Sequence, residues 1–513
     1  MCAFHSLEVA KQALFVQQSA LHTTSHNIAN ANTKGYTRQR VNFESASAYP
    51  AGSRNRPQIP GQIGTGVKAG SVDRIRVDYL DVQYRTENSQ NGYWQELART
   101  LGRVESLMNE PSDTGLAATL NDFWSALQDL SVNPDNSGAR SVVVQRGAAL
   151  ADTFNYLSET INGFRNDVKQ QIDQTALQVN NIIEQIHDIN GQISRLEPHG
   201  YTTNDLYDKR DLLIDELSGI FHIKVTKAPS ADSAPASADG LVTIELLTAD
   251  GSTTGIKLVE ADGESLSFNR LEVEYGDQSQ EKIKRFKFLN DEGNEESSID
   301  IDEIELLGNG SMKALYELYN DIFPDKLEEL DQMAYLFATE FNKLHREGKT
   351  LNGDDGEDFF GGFDTTDATG AAASIKVVID DPGKIAAAYV EKEQEFTVGN
   401  SSNIQRIIDM FDKPLLVDPD DGAEGIPPVM EYYQSIIGEL AVQTQQANQM
   451  ADSTGVLRAQ VDFQRQSVSA VSLDEEMTNL IQFQHAYNAA ARNITAIDEM
   501  LDRIINNMGL VGR

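Results

Sequence analysis

The chain has 513 residues, of which 24% are charged and 40% hydrophobic, so it is long enough for about three to four domains of ~150 residues each. Its net charge of −37 argues against a nucleic-acid-binding protein, whose affinity depends on Lys and Arg that neutralise phosphates. No run approaches the ~18 apolar residues that span a bilayer, and Cys2 is the only cysteine, which excludes intrachain disulfides and cysteine-cluster metal sites.

The N-terminus does not have the pattern of a secretory signal. Glu8 and Lys11 interrupt the stretch that a signal peptide needs to be apolar. We therefore expect a soluble protein that is either cytoplasmic or exported without a cleaved signal. Residues 1–90 carry a net charge of +4 and residues 228–310 a net charge of −13, which indicates a solvated acidic surface in the second region or a means of orienting neighbouring copies.

The first predicted helix covers about residues 3–30 and has apolar residues every seven positions. These residues are Leu7, Leu14, Leu21 and Ile28. The complementary heptad position is small or polar, with Ala10, Gln17 and Thr24. Such a narrow stripe favours a close seam with another helix over a wide face on a globular core.

The stretch NIANANTKGYTRQR (27–40) predicts the end of this helix. Asn30 or Asn32 can adopt a left-handed C-cap, and Gly35 can supply a turn before an extended segment. Arg38 and Arg40 begin a mildly basic segment.

The next part of the chain is predicted to be mostly helical. Residues 88–108 and 115–131 are two helices, and a long apolar-periodic run from about 139 to 196 predicts a long helix pair or bundle. NDLYDKRDLLIDELSGI (204–220) is another helix, which Asn204 would cap.

The character of the sequence changes at the Pro/Ala/Ser/Asp-rich stretch 228–240, which is typical of a linker between domains. Short alternating runs then predict a small antiparallel β domain at roughly 240–307. Helix returns at 311–348, interrupted near Pro324, and residues 349–428 form an acidic Gly/Asp-rich segment that could be a second small outer domain.

The C-terminal segment repeats the heptad pattern over a longer span. Its seven-residue series is Leu473, Leu480, Tyr487, Ile494, Leu501 and Met508, and Met477, Ile497 and Ile504 lie near the complementary positions. At its start, Ser472 and Glu475 have the spacing of a capping box.

These elements predict an α+β multidomain protein with a long α-helical coiled-coil or bundle stem, made from both chain termini, and inserted small antiparallel β structure. The predicted units are 1–45 with 471–513 as terminal coiled-coil helices, 46–227 with 311–348 and 429–470 as the helical stem, 228–310 as the β domain, and 349–428 as the acidic segment.

Candidate catalytic or metal-binding residues are few. His22 and His26 lie four positions apart, which is metal-ligand spacing, but no Glu follows His22 as in a metalloprotease motif. The acidic stretches 352–362 and 418–422 do not match the EF-hand ligand pattern. We find no phosphate-binding loop or nucleophile motif, so the sequence predicts no catalytic, cofactor or metal site and favours an assembly protein over an enzyme.

Both ends of the chain resemble the bacterial flagellar axial proteins, the group that includes rod, hook and hook-associated proteins. The N-terminal part of the resemblance rests on six residues, Asn27, Asn30, Asn32, Thr33, Gly35 and Tyr36. The C-terminal part is SLDEEMTNLIQFQHAYNAAARNITAIDEMLDRIINNMG (472–509). Within the group, residues 204–218 and 330–348 and the chain length resemble the hook-associated proteins of the hook–filament junction.

The resemblance implies a non-enzymatic adapter that is exported by the flagellar type III apparatus and forms a ring of copies at the hook tip. Its implied partners are copies of itself, the hook protein, a second hook–filament junction protein and an export chaperone that holds the C-terminal segment, with no nucleic acid and no membrane insertion. The heptad residues of both terminal helices would form the assembly interface. A hook or distal-rod protein, and an enzyme carried in the β region, remain as alternatives.

Overall fold

The structure is a computed structural model that describes residues 2–50, 61–108, 115–261, 265–276, 282–390, 397, 399–415 and 426–507. The helices are α1 Cys2–Ala29, α2 Asp78–Met108, α3 Leu116–Val132, α4 Ser137–Leu196, α5 Asn204–Ile220, α6 Ser311–Glu317, α7 Phe323–Glu347, α8 Ala371–Ser374, α9 Ser402–Met410, α10 Val429–Ser469 and α11 Leu473–Asp502. The strands are β1 Gln39–Ser45, β2 Val67–Arg74, β3 Ile223–Ala228, β4 Leu241–Leu247, β5 Thr253–Ala261, β6 Leu266–Phe268, β7 Arg270–Tyr275, β8 Ile283–Leu289, β9 Glu295–Asp300, β10 Phe360–Gly361 and β11 Lys376–Val377.

The stem is built around α4, a single helix of 60 residues that is about 90 Å long at 1.5 Å per residue. The Asn136 side chain caps it by accepting hydrogen bonds from the N–H groups of Gly138 and Ala139. The predicted helix pair over 139–196 is therefore one continuous helix, because it contains no proline and the periodic apolar face continues through Gly147, Gly163 and Gly191. That face packs against α3, α5 and α7 and against strands of the β region.

A second long pair, α2 and α10, lies beside α4. The predicted start of α2 at residue 88 is ten residues too late, since the helix begins at Asp78. Its first turns bury Leu80 but also Asp81 and Arg85, and these two charged residues interrupt the hydrophobic pattern.

The β region contains a four-stranded antiparallel sheet in the order β3-β4-β5-β6 and a three-stranded sheet in the order β7-β8-β9. The region begins earlier than predicted, because β3 pairs with β4 in the register Ile223 to Leu246 and Ala228 to Leu241. The stretch 229–240 therefore connects two strands of one sheet and does not separate two domains.

The described part of the acidic segment 349–428 packs into the main core rather than forming an outer domain. Its aromatic residues join those of α3 and α7 in one cluster of buried rings, namely Phe123, Phe337, Phe341, Phe359, Phe360 and Phe411. Each ring buries a large apolar area, which accounts for the docking of a segment so rich in Asp and Gly. Residues 416–425, which include the acidic stretch 418–422, lie outside the described residues.

The interruption predicted near Pro324 is a π turn, Leu318–Ile322, between α6 and α7. Pro324 itself lies in the first turn of α7, directly after this π turn. The prediction of an α+β fold with long helices and small antiparallel sheets is confirmed.

Candidate assembly site at the chain termini

The two ends of the chain meet. Thr24 near the end of α1 and Glu476 in the first turn of α11 line one cleft, together with Phe43 of β1 and Phe483 of α11. The rings of Phe43 and Phe483 contact edge to face with 6.0 Å between their centroids. Because α1 ends at Ala29, α11 can extend along it only in the antiparallel direction. The antiparallel β1-β2 hairpin also packs on α1, and we call α1, β1, β2 and α11 the terminal unit.

The predicted interface residues of α1 flank its buried stripe. Leu7, Leu14, Leu21 and Ile28 are each half-buried. The buried residues are smaller or polar, namely Ala10, Val16, Ala20, Thr23, Thr24 and Asn27. The close seam therefore lies toward the small and polar heptad position that contains Ala10 and Thr24.

The buried seam of α11 is shifted three residues toward the C-terminus from the predicted heptad series that begins at Leu473. Glu476, Ala490 and Ile497 are buried and Phe483 is half-buried, all at intervals of seven. The predicted residues Leu480, Tyr487, Ile494 and Leu501 flank this seam and are half-buried. Leu473, Met477 and Ile504 are exposed, and Met508 lies outside the described residues. Glu and Ala at two seam positions hide this register from an apolar-periodicity argument.

The end of α1 is held by a hydrogen-bond network around Asn27, which is 1% exposed. Its Nδ2 donates to the Gln39 carbonyl at 2.8 Å, and its Oδ1 accepts from the Gln39 N–H at 3.0 Å and from the Tyr36 hydroxyl at 2.8 Å. His26 Nδ1 lies 2.9 Å from that hydroxyl and can donate to it. Burial, followed by the negative charges of Asp205, Asp208 and Glu476, raises the pKa of Tyr36, so the hydroxyl keeps its proton.

The remaining motif residues shape the loop after α1. Asn30 donates from Nδ2 to the His26 carbonyl at 3.1 Å and accepts from the Thr33 hydroxyl at 3.2 Å. Gly35 has a φ of +81°, and a Cβ there would lie 3.3 Å from Leu212 Cβ, so this turn favours glycine. Asn32 is exposed. Five of the six motif residues thus form or support the turn that leads from α1 to β1.

The capping box predicted at the start of α11 does not form. Ser472 occupies the N-cap position without a side-chain hydrogen bond. Glu475 and Glu476 bind Arg38 instead, with Arg38 Nη2 at 2.7 Å from Glu475 and Arg38 Nε at 2.7 Å from Glu476. The Arg38 N–H also donates to the Ser469 carbonyl at 2.9 Å. One arginine thereby ties the loop after α1 to the connection between α10 and α11.

A row of aspartates on α5 attaches the terminal unit to the stem. Asp208 accepts from the Thr37 N–H at 3.0 Å and from Arg74 at 2.8 Å. Asp205 accepts from Gln39 Nε2 at 3.1 Å. Asn204, predicted as a cap, lies inside the first turn and donates to the Val72 carbonyl at 2.9 Å, while Thr203 takes the N-cap position. The polar side chains of this turn serve β1 and β2, so they are not available to cap α5.

Arginines from four sites surround the next aspartates of the row. Asp211 lies 2.9 Å from Arg74, 3.1 Å from Arg76 and 3.4 Å from Arg85. Asp215 lies 2.9 Å from Arg85 and 2.5 Å from Arg465 of α10. Burial alone would raise the pKa of Asp211, but the surrounding guanidinium groups hold it well below its usual range. We call the residues of this network the charged junction, namely Arg74, Arg76, Arg85, Arg465, Asp208, Asp211 and Asp215.

A cleft of about 750 Å³ separates the loop 31–37 from α2, α5 and the end of α10. Arg76 and Arg465 line it, and both are engaged by aspartates of the charged junction or its neighbours. The terminal unit is therefore joined to the stem here by polar contacts around an open cleft.

The metal candidates do not converge within the described part of the chain, where no group of three or more His, Cys, Asp or Glu side chains could hold an ion. His22 is exposed, and His26 takes part in the Asn27 network. In the acidic stretch 352–362, Asp355 pairs with Lys349 at 2.6 Å and Glu357 pairs with Lys384 at 3.1 Å. These carboxylates are used by local ion pairs.

Comparisons with known proteins identify the family. A family model described as the helical domain of the flagellar hook-associated protein FlgK matches residues 101–360, about half of the chain. Flagellar hook-associated protein 1 of Bacillus subtilis (strain 168) is 40% identical over 529 residues, which cover 99% of each chain. The chain belongs to the FlgK family of flagellar hook-associated proteins. It is thus a structural protein of the bacterial flagellum.

Two further family models match the ends of this FlgK-family chain. The flagella basal body rod protein model matches residues 7–37, and the flagellar basal body rod FlgEFG protein C-terminal model matches residues 464–508. Flagellar hook-associated protein 1 of Escherichia coli (strain K12) is 25% identical over 97% of this chain and 98% of its own. The flagellar hook junction protein FlgK from Burkholderia pseudomallei, a solved structure, shares the fold with a TM-score of 0.61 and 12% identity, covering 76% of this chain and all of that one.

The FlgK-family assignment confirms the resemblance predicted from the two termini. Sequence reasoning missed the partners of Arg38 and the whole charged junction. The spacing of the aspartates in residues 205–215 was a signal for such an ion-pair network. The arginines that pair with these aspartates are far away in sequence, so the pairs cannot be assigned without the fold.

Proposed function

We propose that the chain is a non-enzymatic adapter at the flagellar hook–filament junction, where it polymerises as a ring at the hook tip and is required for filament assembly and motility. The observation that carries the proposal is the set of large apolar side chains that the terminal unit leaves exposed. They are Phe4, Phe15, Leu473, Met477, Ile481 and Met500, and they continue as Ile504 and Ile505 in the π turn Arg503–Asn507 that follows α11. A thin layer of two helices and a hairpin cannot bury them itself, so they are suited to contacts with other subunits.

The half-buried heptad residues belong to the same proposed interface. Leu14 and Leu480, for example, lie at the edges of the intramolecular seams and keep part of their surface available. In the proposed ring each terminal unit packs against the neighbouring terminal units, which covers these edges together with the exposed residues.

Among flagellar components, we propose the hook protein and a second hook–filament junction protein as the axial neighbours, and an export chaperone that holds the C-terminal segment before assembly. The supporting observation for the chaperone is the exposure of Met500 near the end of α11 and of Ile504 and Ile505 in the π turn Arg503–Asn507 that follows it. Export by the flagellar type III system without a cleaved signal is part of the same proposal. Within the described residues, no helix is long and apolar enough to cross a membrane.

A structural rather than catalytic role is supported by the way the buried polar groups are used. The charged junction consists of close ion pairs that join α2, α5 and the segment after β2, so these side chains hold elements of the fold together. A hook or distal-rod protein is the rival function. The relatives that match nearly the whole chain are named hook-associated protein 1, which favours the junction.

The test is deletion of the chain followed by electron microscopy of the cells and assay of the medium. We expect hooks without filaments and flagellin shed into the medium, whereas loss of the hook itself would indicate a rod or hook protein. Complementation with Met477→Asp should fail to restore filaments, because Met477 is 57% exposed and would place a charge in the proposed contact. Thr478→Asp, at the adjacent exposed position, is the matched control and should restore them.

A further inference from the structure

The sequence contains five Asn–Gly pairs, and the structure gives one of them a setting unlike the others. The pairs begin at Asn91, Asn162, Asn190, Asn309 and Asn352. An Asn–Gly pair is chemically reactive because glycine has no side chain to shield its amide nitrogen, which can attack the side-chain amide of the preceding asparagine. Burial and hydrogen bonding therefore decide which of these pairs reacts in the folded chain.

Three of the pairs lie inside long helices. Asn91 is in α2, and Asn162 and Asn190 are in α4. Each of these side chains donates from Nδ2 to a main-chain carbonyl, at distances of 3.1, 3.0 and 2.9 Å. The N–H group of each following glycine is bonded within its helix, so attack at these sites requires the helix to open.

The pair at Asn309 is restrained by packing. Asn309 is half-buried and Gly310 is buried just before α6. A Cβ at Gly310 would lie 2.1 Å from the Ile220 carbonyl oxygen, so the main chain is in close contact with the end of α5. This contact opposes the change of dihedral angles that attack by the Gly310 nitrogen needs.

The pair at Asn352 is open to solvent. The Asn352 side chain is exposed in a turn that is closed by the Thr350 N–H, which donates to the Asp354 carbonyl at 2.8 Å. The Gly353 N–H donates to the Thr350 carbonyl at 3.1 Å, and Gly353 has a φ of +87°. Opening of an exposed turn costs little free energy compared with opening of α2 or α4, so the Gly353 nitrogen is released most readily.

We propose that Asn352 is a site of spontaneous deamidation, at which the folded chain acquires an isoaspartyl or aspartyl residue. The Gly353 nitrogen gives its proton to a solvent base and forms a bond to the side-chain carbonyl carbon of Asn352. The bond from that carbon to Nδ2 breaks, and ammonia leaves with an equivalent proton. One water molecule then opens the resulting succinimide ring at either carbonyl, so the reaction needs no oxidant, metal or enzyme.

The product changes the turn in two ways. A carboxylate at position 352 adds a negative charge near Asp355, which pairs with Lys349 at 2.6 Å. An isoaspartyl linkage also inserts a carbon atom into the main chain, so the hydrogen bonds that close the turn cannot all form. The next contact along the chain, from the Gly356 N–H to the Gly348 carbonyl at 3.0 Å, should then lose protection. This inference does not depend on the proposed assembly.

The test incubates the purified full-length chain in mildly alkaline buffer, folded and, in parallel, unfolded in urea. Isoaspartate at each pair is measured by labelling with an isoaspartate methyltransferase and by peptide mapping. In urea the pairs should react at similar rates, because they are the same dipeptide. In the folded chain we expect position 352 to react roughly tenfold or more faster than any other pair, which corresponds to a difference of about 1.4 kcal/mol or more in local opening.

The comparison between pairs decides the proposal. A folded-state rate at position 352 equal to or below that of any other pair would overturn it. Asn352→Gln should remove the isoaspartate signal from this peptide and leave the other pairs unchanged, because glutamine would have to form a larger and less favourable ring. A signal that persists in the Asn352→Gln peptide would likewise contradict the assignment.

Asn352→Asp is the matched variant for the effect on the turn, since it adds the charge without the extra main-chain carbon. Hydrogen exchange of the Gly356 amide should be unchanged in Asn352→Asp and faster in the deamidated chain. Equal exchange rates in the two proteins would contradict the proposed effect of the isoaspartyl linkage.

Discussion

Arg38 and Glu476 are 438 residues apart in sequence, yet Arg38 Nε donates to a carboxylate oxygen of Glu476 at 2.7 Å. Glu476 is 2% exposed, whereas Glu475, the second carboxylate that binds Arg38, is largely open to solvent. Hydrogen bonding to Glu475 raises the pKa of Arg38 against the opposing effect of burial. The pair therefore fixes the start of α11 against the loop that follows α1.

The first prediction concerns removal of this arginine. Arg38→Gln should lower the free energy of local opening of α11 by about 2–3 kcal/mol, because the buried carboxylate of Glu476 loses its charged partner. Native-state hydrogen exchange of the α11 amides measures this local opening, and the amides of α4 should keep their protection.

Glu475→Gln is the matched control for the same arginine. The Glu475 side chain is 57% exposed, so its removal should cost less than about 1 kcal/mol. Equal losses of α11 protection in the two variants would show that the buried pair has no special role.

The termini show what periodicity can and cannot predict. Both terminal helices were placed within a few residues by heptads and by the Asn/Gly signals at 27–40. The register of the α11 seam was not predicted. Glu476 and Ala490 occupy two of its four positions, and neither has the large apolar side chain that periodicity detects. Glu476 is buried only because Arg38 neutralises it.

The sequence also did not predict how the units are connected, for a related reason. The stretch 229–240 has the composition of a linker but connects β3 to β4, and local composition carries no information on strand pairing. The charged junction likewise depends on partners such as Arg74 and Asp211, which are 137 residues apart in sequence. Long-range polar pairing is a property of the fold and leaves little trace in the periodicity of either segment.

A second prediction tests the close approach of α2 and α5. A Cβ at Gly92 would lie 2.1 Å from the Gly219 carbonyl oxygen, so the two helices would have to separate. That movement would also stretch the hydrogen bonds of 2.9 Å from Asn88 Nδ2 to the Asp215 carbonyl and the Ser218 hydroxyl. Gly92→Ala should lower the free energy of unfolding by about 2–4 kcal/mol, measured by urea denaturation.

Gly102 lies on the same helix and supplies the opposite expectation. Nothing lies within 4 Å of a Cβ built there, so Gly102→Ala should raise the free energy of unfolding by roughly 0.5–1 kcal/mol through helix propensity. Destabilisation of similar size in both variants would mean that the α2–α5 contact is not the cause.

A third prediction is a pH dependence caused by His345. The ring is buried, its Nδ1 N–H donates to the Glu357 carbonyl at 2.5 Å, and its Nε2 accepts from the Ala386 N–H at 2.9 Å. Burial lowers the pKa of His345 to about 4, with Arg140 acting in the same direction and Asp358 and the Glu357 carboxylate opposing it. Protonation of Nε2 would place a second N–H group opposite the Ala386 N–H, and this hydrogen bond would be lost.

The sign of the effect follows from the lowered pKa. Above the unfolded value of about 6.5 the full stability is present, and it should fall by roughly 3 kcal/mol as the pH drops from about 6.5 to about 4, because the unfolded chain takes up the proton first. His345→Gln should remove this part of the pH dependence, measured by urea denaturation across that range. The exposed His485→Gln is the control and should retain it.

The last prediction concerns the order of the terminal unit before assembly. The apolar residues that α1 and α11 bury are few and mostly small, namely Ala10, Val16, Ala20, Ala490 and Ile497. None of them belongs to the buried clusters that hold the stem and the β region. The free energy that opens the terminal unit should therefore be well below that of α4, since local stability follows buried apolar contact.

Limited proteolysis of the dilute monomer should accordingly trim roughly the first and last forty residues and spare the middle, while the same sites should be protected in isolated flagella. Ile497→Ala removes part of the small buried apolar area of α11 and should increase the cleavage rate of the monomer, whereas exposed Ile505→Ala should not. Protection of both ends in the monomer equal to that of α4 would contradict the prediction. It would mean that the terminal unit folds without its neighbours and that assembly joins preformed surfaces.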